Sequence, residues 1–145
     1  MGSTKDLKNR LEEMVRHYRV EEVYAFGSRA KEVAARVRNE ETGVAHPQSD
    51  LDIGVRIKAG ATLGPSERVQ LALELEDLLG VSRVDLVILQ EAEPFLAVEI
   101  IRGELLYAED LNRQSRYELY LLRRAGDLYP FKKERIRMIM EEGAR

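Results

Sequence analysis

The N-terminal third of the chain alternates helical and strand-like patterns of apolar residues. Between residues 5 and 18, apolar side chains recur every three to four positions, which predicts an amphipathic helix. The run Val20–Phe26 mixes β-branched and aromatic residues and stops at Gly27-Ser28, so it predicts a strand that ends in a tight turn. A second helix is expected over about 28–38. The apolar face of the first helix consists of Leu7, Leu11, Met14, Val15 and Tyr18.

The middle of the chain continues this alternation after one long loop. Residues 39–49 combine turn-forming dipeptides with little apolar periodicity, which predicts a loop. Residues 50–55 alternate polar and apolar side chains, as in a strand with one buried face. A helix is expected between Gly64 and Gly80, because Pro65 favours its first turn and a glycine favours its end. The apolar run over 83–89 predicts a third strand.

The last third of the chain is predicted to be mainly helical. A short helix over 95–101 follows Pro94, and residues 105–107 suit a short strand. Two further helices are expected near 111–125 and 130–142. These elements predict a fold that combines helices and strands (α/β in the broad sense, α+β in detail), with a small mixed sheet covered by helices. We expect residues 1–110 to form the core and residues 111–145 to add a helical pair packed on or beside it.

The composition fits one folded unit. With 145 residues and a hydrophobic content of 44%, the chain can bury one continuous core. It has no cysteine, which excludes disulfides, thiolate metal sites and a cysteine nucleophile. No apolar run approaches the roughly 20 residues that a membrane span needs, so we expect a cytoplasmic protein. The few aromatic residues and the absence of Trp argue against direct nucleic-acid binding by base stacking.

Charge is distributed unevenly along the chain. Residues 1–110 contain 14 basic and 21 acidic side chains, whereas residues 111–145 contain 9 basic and 5 acidic ones. A basic helical tail on an acidic body can dock an acidic partner or attract phosphates, and it can also be a solvated helix face. Tyr117, Tyr120 and Tyr129 recur in this tail at roughly helical spacing, which favours packing in a core or an interface.

Two carboxylates are expected on one face of the second strand. Alternate residues of a strand share a face, so Asp50 and Asp52 project to the same side. Neighbouring carboxylates raise each other's pKa, and a divalent cation between them relieves that cost. Magnesium prefers such oxygen ligands. Asp85 lies inside the otherwise apolar third strand, where it either completes this site or is an acid at a strand end that faces water.

The dipeptide Gly27-Ser28 is a candidate anion site. It lies between a predicted strand and a predicted helix, where free backbone amides and the helix dipole attract a phosphate. Arg29 follows directly and can reach a phosphate, although an exposed helix arginine explains it equally well. Taken alone, Gly-Ser is also a common turn dipeptide.

The ordered combination of these motifs resembles the nucleotidyltransferase superfamily of DNA polymerase beta. The resemblance is closest to the minimal nucleotidyltransferases (MNT) of bacteria and archaea, and it covers about residues 5–108. It rests on the order strand, Gly-Ser, helix, loop, Asp-x-Asp, helix and a lone Asp in a strand. The segments that carry it are Ala25-Phe26-Gly27-Ser28-Arg29-Ala30, Ser49-Asp50-Leu51-Asp52-Ile53-Gly54-Val55 and Val84-Asp85-Leu86-Val87.

This resemblance implies a polymerase-beta-like fold and a magnesium-dependent transfer of a nucleotide from ATP to a hydroxyl. Asp50, Asp52 and Asp85 would be the catalytic and metal-binding residues, with two metal ions, and Gly27, Ser28 and Arg29 would contact the nucleotide. Small members of the family often act as antitoxins that adenylylate a tyrosine of a HEPN ribonuclease toxin. We therefore expect a HEPN-type toxin as the partner, and assembly into a homo-oligomer stays open.

One departure from the family pattern and two alternative functions stay open. The family usually separates Gly-Ser from Asp-x-Asp by about ten residues, whereas 21 residues intervene here and Glu32 stands near the usual Ala-x-Gly glycine. Surface insertions are readily tolerated, so the metal site is still expected. The alternatives are a nucleotidyltransferase for a small molecule such as an aminoglycoside, and a non-catalytic antitoxin that acts by binding.

Overall fold

A four-stranded mixed sheet lies at the centre of this computed structural model, which describes residues 4–38 and 50–143. Its strands are β1 (Val20–Phe26), β2 (Leu51–Ile57), β3 (Val84–Ile88) and β4 (Glu104–Ala108), in the order β3-β2-β1-β4. Strand β1 is antiparallel to β2 and β4, whereas β2 and β3 are parallel. The mixed sheet is thus confirmed, and the loop predicted over 39–49 lies outside the described residues.

Five α-helices cover both faces of the sheet, as predicted. They are α1 (Thr4–His17), α2 (Ala30–Val37), α3 (Pro65–Leu79), α4 (Pro94–Ile101) and α5 (Leu111–Gly143). Helices α1, α2 and α3 bury their apolar stripes in one core, and α4 and the first half of α5 form a second core on the opposite face. A short 3₁₀ turn at Leu89–Glu91, which the sequence patterns do not predict, leads from β3 to α4.

The alternation along the strands explains the two cores. Leu51, Ile53 and Val55 of β2 are completely buried in the first core, while Tyr24 and Phe26 of β1 belong to the second. Burying each such large apolar side chain contributes roughly 1.5–3 kcal/mol. On the second face, helix α4 packs so closely against β2 that only a glycine fits at position 54. A Cβ at Gly54 would lie 2.5 Å from Ile100 Cγ2 of α4.

The C-terminal segment corrects the predicted helical pair, because α5 is one continuous helix that passes through Pro130. A proline removes one backbone hydrogen bond and crowds the carbonyl four residues earlier, which is a local cost. Here that earlier residue is Gly126, whose less restricted backbone can adjust to the proline ring. Ion pairs of Arg137 with Glu134 and Glu141 support the helix beyond the proline. The division into a core of 1–110 and an extension of 111–145 stays a prediction.

Only the first half of α5 packs on the sheet. Leu121 is 3% exposed and Ala125 8% exposed, and both lie against the body of the protein. From residue 126 to residue 141, every side chain that the structure describes is exposed. In the described part of the chain, no helix is both long enough and apolar enough to cross a bilayer.

A buried polar network attaches α5 to the sheet. Glu22 of β1 is fully buried, and its carboxylate accepts two hydrogen bonds of 2.5 Å from Arg56 of β2. The Arg56 guanidinium also lies 4.3 Å from the ring centroid of Tyr117, a half-buried residue of α5. Burial raises the pKa of Glu22 and the hydrogen bonds from Arg56 lower it, with burial the larger effect. The ion pair therefore compensates for a carboxylate placed in an unfavourable environment.

A second set of polar contacts extends the same network towards the end of β1. The hydroxyl of Tyr24 donates to Glu118 Oε2 over 2.9 Å and accepts from Gln114 Nε2 over 2.9 Å. Next to it, Arg113 lies 3.0 Å from Glu21. These residues satisfy one another within a largely buried layer, so the first half of α5 is bound to β1 in a specific position.

We predict that Arg56→Met destabilises the protein by about 3–5 kcal/mol, because it leaves the buried carboxylate of Glu22 without a partner. Chemical denaturation followed by circular dichroism measures this loss. Lys58→Met, which removes a largely exposed ion pair with Glu109, is the control and should change stability little.

The loss from Arg56→Met should also depend on pH. Without Arg56, the pKa of buried Glu22 rises further above its unfolded value, so the folded state holds a proton that the unfolded state has lost. Stability then falls as pH rises through this range, and the deficit should be larger at about pH 8 than at about pH 5. An equal deficit at both values would show that Arg56 acts through packing alone.

Candidate active site

The three predicted aspartates lie at one end of the sheet. Asp50 directly precedes β2 and is exposed, and Asp52 in β2 is partly buried. Asp85 is the residue of β3 that pairs with Asp52 in the parallel register. Burial raises the pKa of Asp52, and the negative charges of Asp85, Asp50 and Glu99 raise it further. The structure therefore brings the acids together and adds a fourth, Glu99 of α4, that the sequence analysis missed.

The acids share this end of the sheet without meeting at one point. Among residues 4–38 and 50–143, no three acidic or histidine side chains are gathered closely enough to hold a metal ion. Asp85 is paired instead with Arg83, whose Nε lies 3.1 Å from Asp85 Oδ1. This contact uses one carboxylate oxygen of Asp85 and leaves the other as a possible cation ligand.

The Gly27-Ser28 turn lies directly against the acids. The β1–β2 register places Phe26 opposite Asp52, so the turn that follows β1 passes over the Asp52 carboxylate. Gly27 has φ +80°, and a Cβ there would lie 2.5 Å from Asp52 Oδ2. Ser28 is exposed, and α2 begins two residues later. An anion bound by the amides of this turn would therefore lie beside Asp52.

Arg29 occupies a different position from that expected of a phosphate ligand. It is only 5% exposed, and its Nε and Nη2 atoms each lie 3.3 Å from carboxylate oxygens of Glu32. Glu32 is the residue that stands near the family's usual glycine, so this departure from the pattern supplies the partner of Arg29. The geometry favours a structural role for Arg29 over the predicted contact with the nucleotide.

A groove of about 300 Å³ opens beside the Gly27-Ser28 turn. Its far wall is the end of α4 and the start of β4. Gly103 allows this wall to approach β1, because a Cβ at that position would overlap the carbonyl oxygen of Ala25. The residues that line the groove are Gly27, Ser28, Ala30, Lys31, Glu99, Arg102, Gly103 and Glu104.

Sequence reasoning did not identify Lys31, Glu99 or Arg102 as site residues. The sequence does set two of them apart, since Glu99 and Arg102 are the charged residues in the otherwise apolar segment 94–103. A larger cavity of about 470 Å³ lies between α1 and α3, where Arg10, His17 and Glu74 line it together with other helix residues. It contains none of the predicted site residues.

The sequence model of the family described as Polymerase beta, Nucleotidyltransferase matches residues 9–112. The chain belongs to this nucleotidyltransferase family. The matched region includes the Gly27-Ser28 turn and all three aspartates, whose arrangement has just been described. Among curated proteins, none matches the chain.

Solved structures share the fold over nearly the whole chain. A chain of the toxin–antitoxin with AMP-PNP is 22% identical, with a TM-score of 0.69 over 92% of this chain and 98% of that chain. A chain of the tri-AMPylated Shewanella oneidensis HEPN toxin in complex with MNT antitoxin is 20% identical, with a TM-score of 0.67 over 94% and 98%. A chain of the toxin–antitoxin MntA-HepT is 20% identical, with a TM-score of 0.66 over 92% and 97%. The predicted polymerase-beta-like nucleotidyltransferase fold is thus confirmed.

We predict that Gly27→Ala weakens magnesium-dependent ATP binding at least tenfold, because the new Cβ displaces the Asp52 carboxylate. Calorimetric titration measures the affinity, and thermal melting measures the accompanying loss of stability. Gly60→Ala is the matched control, since Gly60 has φ +82° with no atom within 4 Å of the added Cβ. Both variants should lose roughly 1–2 kcal/mol of stability from the left-handed backbone. Equal ATP affinity in the two variants would contradict the proximity of Gly27 and Asp52.

Proposed function

We propose that this protein is a magnesium-dependent nucleotidyltransferase that moves AMP from ATP to a tyrosine hydroxyl of a HEPN-type toxin and so acts as its antitoxin. The observation that carries the proposal is the contact between the Gly27 turn and Asp52, with Asp85 on the adjacent strand. This contact joins a phosphate-binding turn to a pair of carboxylates. The similar structures support the donor and the acceptor, since one contains AMP-PNP and another contains an AMPylated HEPN toxin with MNT antitoxin.

The carboxylates suit magnesium. Asp50 and Asp52 offer hard oxygen donors on one strand, and Asp85 lies beside Asp52. The pKa of Asp52 is raised by its acidic neighbours, and a bound cation would reverse that effect. Asp50 and Asp52 would hold the ion, and Asp85 would contribute to a second one. When bound, magnesium would neutralise part of the charge of the triphosphate.

Different residues of the chain have different roles in the transfer reaction. The amides of the Gly27-Ser28 turn and the Ser28 hydroxyl bind phosphate oxygens, and Asp85 accepts the proton of the attacking hydroxyl. The hydroxyl oxygen forms a bond to the α-phosphorus while the bond from that phosphorus to the bridging oxygen breaks. Pyrophosphate leaves, and AMP remains on the acceptor. Arg83 contacts only Asp85 Oδ1, so Oδ2 is the oxygen that would take the proton.

We expect Asp85→Asn to retain ATP binding while transfer falls by at least roughly a hundredfold, the usual effect of losing a positioned acid or base. Transfer of labelled AMP to the toxin measures the rate, and calorimetry measures binding. The double variant Asp50→Asn with Asp52→Asn is the comparison, since it should lose magnesium-dependent ATP binding while its fold persists. If Asp85→Asn lowers only the melting temperature and keeps its turnover, Asp85 is structural.

The exposed half of α5 is the proposed surface for the toxin. The apolar stripe that packs Leu121 and Ala125 on the sheet continues along the same helix face, where its side chains stay exposed although Lys132 lies 4.0 Å from the ring centroid of Phe95 in α4. Basic residues flank this stripe, and an apolar stripe with arginines is typical of a protein interface. A small acceptor such as an aminoglycoside would make no use of it. The exposed apolar residues on this face are Leu128, Tyr129, Ile136, Ile139 and Met140.

We expect the double variant Ile136→Asp with Ile139→Asp to lose association with the toxin by at least tenfold while ATP binding stays unchanged. Both side chains are about half exposed, at 48% and 59%, so the fold should tolerate the change. Met138→Asp is the control, because Met138 is also half exposed and lies on the opposite side of the helix from the stripe. Reversing the charge of Arg123 and Arg124 should weaken association in a salt-dependent manner. Full association of both the Ile136/Ile139 variant and the Arg123/Arg124 variant would exclude this face of α5 as the docking surface.

A further inference from the structure

A small apolar pocket of about 210 Å³ lies between the start of α4 and the distal half of α5. It is lined by Phe95 of α4 and by Tyr129, Lys132, Lys133 and Ile136 of α5. The four α5 residues are three, four and seven positions apart, so they share one face of the helix. The pocket is smaller than the roughly 300–1,000 Å³ of small-molecule sites, and its size suits one or two apolar side chains.

The rim of this pocket is basic. Lys132 Nζ lies 4.0 Å from the ring centroid of Phe95, so its charge is held at the pocket by the aromatic face. Within residues 4–38 and 50–143, neither Lys132 nor Lys133 forms an ion pair with an acid. The neighbouring acids are engaged elsewhere, since Glu93 accepts from the backbone amides at the start of α4 and Glu134 is paired with an arginine of α5. A carboxylate of a partner would therefore meet two cations that no described acid neutralises.

The pocket lies one helical turn from the candidate active site. Phe95 and Glu99 are four positions apart on α4, so they project to the same side of this helix, about 6 Å apart along its axis. Neither side chain is buried, whereas Ala97 and Ile100 on the other side of α4 belong to the core. Glu99 is near enough to Asp52 for its charge to raise the pKa of that residue. A polypeptide anchored in the pocket can therefore run along this side of α4 to the aspartates.

We propose that this pocket binds the acceptor polypeptide beside its modified tyrosine, by taking up an apolar side chain that is flanked by carboxylates. The inference rests on the proposed function and specifies the chemistry of the segment that the enzyme recognises. The apolar side chain displaces water from the rings of Phe95 and Tyr129, and the carboxylates pair with Lys132 and Lys133. A second copy of the chain that docked by this same face would instead bring lysines against lysines.

The test uses three labelled synthetic peptides that each contain one tyrosine. A few residues from the tyrosine, the first carries Glu-Leu-Glu, the second Glu-Ser-Glu and the third Lys-Leu-Lys. Fluorescence anisotropy measures the affinity of the full-length protein for each peptide without nucleotide. The first peptide should bind at least roughly tenfold more tightly than the others, because the second lacks the apolar anchor and the third places like charges beside Lys132 and Lys133.

Two pocket variants assign this preference to the pocket. Lys132→Glu with Lys133→Glu should reverse it in favour of the Lys-Leu-Lys peptide, and both side chains are exposed, so the fold should tolerate the change. Phe95→Ala should weaken binding of the Glu-Leu-Glu peptide at least roughly tenfold and leave ATP affinity unchanged. Because Phe95 is partly buried, thermal melting accompanies this variant, and the lysine variant decides the test if Phe95→Ala does not fold.

The matched control is Lys8→Glu with Arg10→Glu, an equal change of charge at exposed positions of α1, which packs on the other face of the sheet. It should match the unaltered protein with every peptide. In AMP transfer to the Glu-Leu-Glu peptide, the pocket variants should raise KM and keep kcat, because the pocket holds the acceptor without touching the reacting atoms.

The outcomes separate this inference from the proposed function. Equal affinity for the three peptides, or unchanged affinities in both pocket variants, overturns the inference, and the proposed function stands if AMP is still transferred to the toxin. Selective peptide binding without any transfer to the toxin supports the docking pocket and contradicts the proposed chemistry. Self-association in sedimentation that the lysine variant abolishes would assign the pocket to a second copy of this chain and would also overturn the inference.

Discussion

The antiparallel pairing of β1 with β2 is the constraint on which the candidate site depends. Its register places Phe26 opposite Asp52, so the chain that leaves β1 turns directly over the carboxylate. A slip of one residue would move Asp52 to the other face of the sheet and separate it from Gly27. The parallel pairing of β2 with β3 then brings Asp85 beside Asp52. Two hydrogen-bonded ladders thus position three chain segments that lie far apart in sequence.

Local patterns were sufficient to predict most elements of this fold. The strand Val20–Phe26 has the predicted bounds, because β-branched and aromatic residues and the following Gly-Ser define it locally. The break expected before Pro130 was wrong, because the cost of a proline within a helix is local and the helix continues on both sides. Patterns also placed Asp52 and Gly27 at strand ends, but only the β1–β2 register shows that they touch.

The residues that sequence reasoning misassigned or missed depend on tertiary packing. Arg29 was predicted to contact the nucleotide because it follows the Gly27-Ser28 turn, yet the start of α2 directs its buried side chain to Glu32. Arg102 is more than 70 positions away, and it reaches the same groove because α4 runs back over the sheet towards the end of β1. The spacing of residues along the chain predicts neither the Arg29–Glu32 contact nor the position of Arg102 in the groove. Glu22 is a further example, since nothing local distinguishes a fully buried strand glutamate from the exposed ones.

Helix α5 links the proposed partner surface to the strand that ends in the active-site turn. Gln114 and Glu118 hold the Tyr24 hydroxyl, and Tyr24 lies three residues before Gly27 on β1. A partner held by the distal half of α5 would therefore be positioned by the same strand that positions the phosphate-binding turn. Since transfer needs the acceptor hydroxyl within bonding reach of the α-phosphorus, a shared rigid support is an advantage for such an enzyme.

Under the proposed function, the distribution of charge would favour a magnesium nucleotide over either the free nucleotide or the free metal ion. The acids of β2, β3 and α4 lie on one side of the Gly27-Ser28 turn, and Lys31 and Arg102 lie along the groove on the other. A free triphosphate would meet the cations but be repelled by the aspartates, and a free metal ion would satisfy only the acids. The complex would place its cation against the carboxylates and its outer phosphates against the basic groove. Under the proposed function, a metal ion in this complex would also be a stronger partner for the Asp85 carboxylate than Arg83, whose guanidinium is two-thirds exposed and contacts only Oδ1.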